Sequence, residues 1–191
     1  MIKNIHIDHP EIFSICKNSL DNGGVIIYPT DTLYGFGVDA RNETAIKKLN
    51  SIKRRSSPIS IIVENFKQLV TFTNLSKEKK KFIKENIGNK TTFILPSIKG
   101  KVHKSVMSGN SFIGFRIPKN TIGPKLVSVI GYPITSSSVN RHGKKPMNNP
   151  KEIIDEFEDE VDIIINAGVL PTSSGSTIYM LRNNQFQIIR R

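Results

Sequence analysis

The run Gly24-Val25-Ile26-Ile27-Tyr28-Pro29 constrains this chain more than any other stretch. Val25–Tyr28 is continuously apolar and rich in β-branched residues, with Gly23-Gly24 before it and Pro29 after it. That pattern predicts a short strand buried on both faces. Such strands lie inside sheets that helices cover from either side. The character of the chain then changes. Thr30-Asp31-Thr32-Leu33-Tyr34-Gly35 offers two hydroxyls, a carboxylate and a phenol, and Lys53 and Arg55 follow after a segment of helical spacing. Polar groups at the end of a buried strand, with cations brought over them, suit an anionic small molecule. A strand, a turn and a solvated basic patch account for this stretch equally well when it is taken alone.

The remaining elements alternate. Asp8-His9-Pro10-Glu11 predicts a capped helix start, with Ile12, Ile15, Cys16 and Leu20 at helical spacing. Asn42 predicts the cap of a second helix that turns Ala45, Ile46, Leu49 and Ile52 inward and ends near Lys53 and Arg55, where the dipole favours cations. Strands are expected over 59–63, 91–95, 112–118, 161–166, 177–181 and 185–190, the last two joined by an Asn183-Asn184 turn. Helical segments are expected over 66–72, 76–86, 124–130 and 150–158, and residues 97–110 are irregular and basic. The class is α/β, a largely buried mixed sheet with helices packed on it. No repeat, linker or low-complexity stretch divides the 191 residues, so one domain spanning 1–191 is expected.

Composition narrows the function. No apolar run approaches the roughly 18 residues of a membrane span, and the N-terminus lacks the apolar core of a secretory signal, which predicts a cytoplasmic protein with no membrane partner. The lone Cys16 excludes an intrachain disulfide, and its apolar neighbours predict a packed thiol. The four histidines lack ligand spacing, so no structural metal is expected. The net charge of +12 is unevenly spread. Residues 41–150 hold 22 Lys/Arg against 4 Asp/Glu, whereas residues 151–162 hold one Lys against seven acids. That asymmetry predicts salt-sensitive attraction to polyanions, whether nucleotide phosphates or RNA. For Lys77–Lys84 a solvated helix face explains the charge without an RNA contact.

Polar groups recur at or beyond strand ends: Thr30–Thr32, Arg116, Ser136–Asn140 and Ser176-Thr177. Converged, they supply hydroxyls, an amide and the cations Lys53, Arg55 and Arg116, an inventory that suits an amino acid beside a nucleoside triphosphate. Singly, each has a plainer explanation: a serine run is what loops contain, Arg116 fits a surface ion pair, and Thr177 fits β-propensity. No Walker loop, dinucleotide fingerprint or nucleophile elbow is present. Catalysis here would work by positioning and charge stabilisation.

Pro29-Thr30-Asp31-Thr32-Leu33-Tyr34-Gly35, Lys53-x-Arg55, Phe112–Pro118, Pro133–Asn140, Ser176-Thr177-Ile178 and Ile188-Ile189-Arg190 together resemble the Sua5/YrdC/YciO family over nearly the whole chain. The resemblance implies a YrdC-like twisted sheet with a cationic concave surface, in the short form without the C-terminal Sua5 domain. It implies a threonylcarbamoyl-AMP synthase, a nucleotidyltransferase that converts L-threonine, bicarbonate and ATP to threonylcarbamoyl-AMP and pyrophosphate for tRNA modification. The product would pass to a threonylcarbamoyl transferase complex. By the same resemblance Thr32, Arg116, Ser138 and Ser176 meet threonine; Lys53, Arg55, Asn140 and Arg190 meet ATP; Lys53, Arg55, Ser138 and Asn140 are catalytic; and magnesium enters with ATP.

The chain departs from the family at three places. Ile87-Gly88-Asn89-Lys90-Thr91 replaces a Pro-Gly-Pro-x-Thr turn, Val139 replaces an alanine, and Ser57-Pro58 stands where relatives often carry Asn, with no His in the strand beyond. The rival expectation is a YciO-like member that binds double-stranded RNA or tRNA on its cationic face without this catalysis.

Overall fold

The structure is a computed structural model, and it describes residues 2–191 except 56, 99, 108 and 110. The buried strand expected over Val25–Tyr28 is β2 (Ile26–Pro29), shifted by one residue so that Pro29 lies inside it, and buried at all four positions. It turns back as an antiparallel hairpin into β3 (Tyr34–Gly37), with Ile26 opposite Gly37 and Pro29 opposite Tyr34. Around this hairpin the other strands are β1 (Lys3–His6), β4 (Ser60–Ile62), β5 (Thr91–Pro96), β6 (Phe112–Arg116), β7 (Ile134–Ser138), β8 (Ile163–Asn166), β9 (Thr177–Arg182) and β10 (Gln185–Arg190). They form one mixed sheet in the order β1-β8-β2-β3-β7-β4-β6-β5-β9-β10.

Six α-helices are described: α1 (Ile12–Asp21), α2 (Glu43–Lys53), α3 (Phe66–Val70), α4 (Lys77–Asn86), α5 (Ile122–Ile130) and α6 (Pro150–Phe157). The alternation of side chains along each strand divides them between two cores. Val25, Ile27, Phe36, Ile61, Phe93 and Phe115 point to the core shared with α2, α4 and α6. Ile26, Tyr28, Ile62, Ile134 and Ile163 point to the core under α1 and α5, where Cys16 is fully buried. Burial pushes the Cys16 thiol up to about 12, so it stays a packed apolar group.

Four local expectations need correction. The first helix starts after Glu11 rather than from an Asp8 capping box, and Glu11 makes no side-chain cap bond. Helix α5 starts two residues early, which places Pro124 in its first turn, where a missing N–H costs nothing. Tyr34–Gly37 and Ser136–Ser138, expected as polar segments beyond strand ends, are strand residues: β3 pairs with β2 and β7, Ser137 and Ser138 pair with β3, and Ser136 pairs with β4. The edge strand β1, parallel to β8, had no clear signal because Lys-Asn-Ile-His carries one apolar side chain. The basic stretch 97–110 is irregular where described, apart from a single 3₁₀ turn at Lys104–Val106; its positions 99, 108 and 110 lie outside the described residues.

Candidate functional site

The hairpin tip between β2 and β3 is organised by one hydroxyl. Thr30 Oγ1 donates to the Leu33 carbonyl (2.7 Å) and accepts from the amides of Thr32 and Leu33 (both 3.2 Å). This side-chain turn satisfies backbone groups that a four-residue loop leaves unpaired. It also fixes Asp31 and Thr32 at the tip. There Arg116, from the end of β6, donates through Nη2 to Asp31 Oδ1 (2.5 Å) and Thr32 Oγ1 (3.2 Å). Both members of the ion pair are nearly buried, with side-chain exposures of 11% and 12%. Arg116 is therefore not the surface pair that a lone strand arginine commonly makes. Its Nε is buried without a hydrogen-bond partner among the described residues, which leaves a donor in need of an acceptor.

Next to the tip the sheet face changes from apolar to polar. On β7 and β4, Ile134 and Ile62 lie under α5 as register partners, and two residues along the same face Ser136 pairs with Ser60. The row continues across neighbouring strands through Gly114 and Ile94. The small serines here leave open space beside the covered core, and Gly114 makes room for the Ser60 side chain that packs on it. The resulting cavity, about 280 Å³, is lined among others by Ser60, Thr92, Ser136 and Ser138 from the strands, together with Thr30 and Thr32 from the hairpin.

Three guanidinium groups line the same cavity: Arg55, Arg116 and Arg190. Arg190 arrives through an irregularity between Ile188 and Arg190 that re-registers it opposite Ile178, the kind of bulge that re-aims a side chain. Its Nε and Nη2 donate to the Ser176 carbonyl (3.1 and 2.9 Å), and Nη2 also reaches Ser176 Oγ (3.2 Å). The buried Ser176 hydroxyl lies 2.7 Å from Thr92 Oγ1. Burial first, and then the nearby Arg116 charge, pulls the Arg190 guanidinium below its ordinary value. Among the described residues no carboxylate lines the cavity. Asp31 sits at its edge on Arg116.

Of the expected residues, Thr32, Arg55, Arg116, Ser138, Ser176 and Arg190 converge on this one cavity. Lys53 and Asn140 do not line it. They bond to each other beneath it. Lys53, 2% exposed, donates from Nζ to the carbonyls of Ser138 (2.5 Å) and Asn140 (3.0 Å) and to Asn140 Oδ1 (3.0 Å). Asn140 Oδ1 also accepts from Ser138 Oγ (2.8 Å), while its Nδ2 donates to the carbonyls of Arg141 and Lys144. Every donor of that amide is thus used within the turn. The separation of Lys53 from Arg55 comes from the left-handed Arg54 between them, at φ 54°, which ends α2 and sends the two cations different ways. The expected cation trio of Lys53, Arg55 and Arg116 is accordingly Arg55, Arg116 and Arg190.

Sequence reasoning overlooked Asp31 as the partner of Arg116, and Ser60 and Thr92 as lining groups. The Asp31 carboxylate is visible in the sequence, but its partner lies 85 positions away. Ser60 and Thr92 look like ordinary strand residues until strand order places them side by side.

A family model covering Sua5, YciO and YrdC proteins, described as telomere recombination, matches residues 18–191. The chain is 32% identical over 188 residues to a putative threonylcarbamoyl-AMP synthase of Methanocaldococcus jannaschii, covering 96% of this chain and 86% of that protein. It is 28% identical over 171 residues to the protein YciO of Escherichia coli, covering 87% and 83%. Among solved structures it resembles Escherichia coli YciO at TM-score 0.89 and 26% identity, over 100% of this chain and 95% of that one. It also resembles P. abyssi Sua5 complexed with L-threonine, at TM-score 0.89 and 24% identity. This chain is fully covered in that match and spans 57% of the Sua5 chain's length.

Proposed function

The chain belongs to the Sua5/YciO/YrdC family, and from that premise we propose that it makes threonylcarbamoyl-AMP from L-threonine, bicarbonate and ATP. One observation carries this: a single cavity gathers three guanidiniums and several hydroxyls from widely separated parts of the chain, with no carboxylate among the described residues that line it. Guanidinium forks match carboxylates and phosphates in geometry and charge. The Sua5 structure with bound L-threonine and the relative named for the synthase reaction support the choice of substrates.

The chemistry needs no protein nucleophile. Bicarbonate gives up its carbon dioxide unit with loss of water overall, and the threonine amine adds to that carbon and loses a proton, which gives a carbamate. A carbamate oxygen then attacks the α-phosphorus, and the α–β bridging bond breaks to release pyrophosphate. Arg116 and Thr32 hold the amino-acid carboxylate. Ser176 and Ser138 supply hydroxyl contacts along the amino acid. Arg55 and Arg190 face the phosphates and stabilise the charge that develops on the leaving group. Lys53 and Asn140, bonded beneath the cavity, set the shape of the Ser138 turn. Magnesium would accompany the nucleotide and neutralise phosphate charge; the serine and threonine hydroxyls offer it only neutral oxygen.

The expected outcome is pyrophosphate release that requires threonine, bicarbonate and ATP together. Arg116→Lys keeps a charge near Asp31 but loses the planar fork, and should raise the KM for threonine about tenfold, the size of one charge-assisted hydrogen bond. Arg55→Ala should act mainly through ATP. Pyrophosphate release that ignores threonine would overturn the proposal. The charge of residues 41–150 favours a second activity, binding of RNA by a cationic face.

A further inference from the structure

We propose that Arg141 is a positioning residue that sets where the Arg55 end of α2 stands relative to the Ser138 turn. This rests on the cavity being the reaction site. The Arg141 side chain is 15% exposed and serves no lining role. Its guanidinium instead ties α2 to α6 and to the segment that follows α6. Nη1 donates to the Ile52 carbonyl in the last turn of α2 (2.6 Å) and to Glu160 Oε2 (3.0 Å). Nη2 donates to Glu160 Oε1, and Nε donates to Glu156 Oε1 on α6 (2.8 Å). The guanidinium also lies over the Phe157 ring at 4.5 Å.

The Ile52 contact matters most. The last four carbonyls of a helix lack partners within it, and a cation there is favoured by the dipole. In α2 the residue after Asn140 caps the Ile52 carbonyl, and the next amide, His142 N, caps the Lys53 carbonyl at 2.9 Å. The Ser138–Asn140 turn and the end of α2 are thus fastened twice: by Lys53 reaching into the turn, and by the turn reaching back through Arg141 and His142. Arg55, two residues beyond the capped end, takes its position on the cavity from that fastening. Only a planar fork with five donors can meet two carboxylates and a backbone carbonyl at once; a lysine offers three donors at one point. The two glutamates hold the guanidinium well above its already high ordinary value, so it stays charged at any working pH.

The test uses the full chain and the variants Arg141→Ala, Arg141→Lys and Glu160→Gln. Relative to the parent, Arg141→Ala is expected to raise the KM for ATP and lower kcat by about tenfold each, with the KM for threonine within about twofold, because Thr32 and Arg116 sit on other elements and Ser138 is held from β7 by its pairing with Gly35. Glu160→Gln should show the same pattern more weakly, and Arg141→Lys should recover part of the loss. Amide hydrogen exchange supplies a readout without turnover: the His142 amide should exchange at least about tenfold faster in Arg141→Ala. Kinetic constants and His142 exchange both unchanged in a folded variant would overturn the proposal. So would an equal rise in both KM values, which is the mark of general loosening. Should Arg141→Ala not fold, Glu160→Gln and Arg141→Lys decide it by the same criteria. A parent without threonine-dependent turnover would refute the proposed reaction, and His142 exchange would still decide the positioning role.

Discussion

At the scale of single residues, Lys53 separates what a motif says from what a side chain does. Lys53-x-Arg55 reads as a pair of cations for one anion, and the sequence carries no sign that Arg54 adopts a left-handed conformation between them. The result is one cation in the cavity and one beneath it, its three donors matched to three oxygens. Burial, then the Arg55 charge, pulls the Lys53 ammonium down to about 7. In the unfolded chain Lys53 holds its proton to its ordinary value of 10.5. Between those limits the unfolded state binds more protons, so this group's contribution makes the protein more stable as pH rises from 7 toward 10.5. The slope is at most about 1.4 kcal/mol per pH unit, reduced by the hydrogen bonds that favour the ammonium. Urea unfolding of the parent and Lys53→Met at pH 7, 8 and 9 measures it. The parent should gain on the variant as pH rises; parallel curves would show that the three acceptors fully offset the cost of burial.

At the scale of elements, legibility followed the apolar residues. Strand β2 and helix α2 were visible because burial on two faces and burial on one face leave different periodicities. Strands β3 and β7 were not, and for one reason. Gly35, Ser136 and Ser138 are small where the sheet leaves a helix's cover and opens into the cavity, and Gly37 is small where the buried Tyr28 ring packs on β3, so residues chosen for room erase the strand signal. Gly37 shows the same economy of space, since a Cβ there would stand 2.8 Å from the Tyr28 ring. The hairpin that joins β2 to β3 yields a test. Thr30→Val keeps shape and β-propensity but removes the acceptor of two backbone amides and the donor to the Leu33 carbonyl. Groups left unpaired in a part-buried loop cost about 1–3 kcal/mol. Thr30→Val should lose that much stability in urea unfolding and weaken threonine binding by releasing Asp31 and Thr32, whereas Thr30→Ser should keep both. A stable Thr30→Val with parental affinity would mean the tip is held by something other than the Thr30 hydroxyl.

At the scale of the whole molecule the question is whether the excess charge belongs to the site or to the surface. Phe93 and Ile94 are neighbours on β5 with side chains on opposite faces of the sheet. Ile94 lines the cavity, whereas Phe93 packs edge-on against Phe82 of α4, their ring centroids 6.2 Å apart. Helix α4, with Lys77, Lys79, Lys80, Lys81 and Lys84, therefore lies across the sheet from the cavity. Its lysines follow from an amphipathic helix whose inner face is Ile83 and Phe82 and whose outer face meets solvent, where Lys81 makes only a loose 3.9 Å pair with Glu85. The cavity's own charge comes from Arg55, Arg116 and Arg190, on other elements. Two independent cationic features predict two separable losses. The variant Lys79→Ala/Lys80→Ala/Lys81→Ala should keep threonine-dependent pyrophosphate release within about twofold of the parent, since fields from exposed charges fade over about 10 Å in ordinary salt. Any retention of RNA by the parent should weaken in the same variant, with a shallower dependence on salt concentration. Loss of pyrophosphate release from a triple variant that melts like the parent would place α4 in the catalytic machinery, and the sheet would then not be the barrier between surface and site that its geometry makes it.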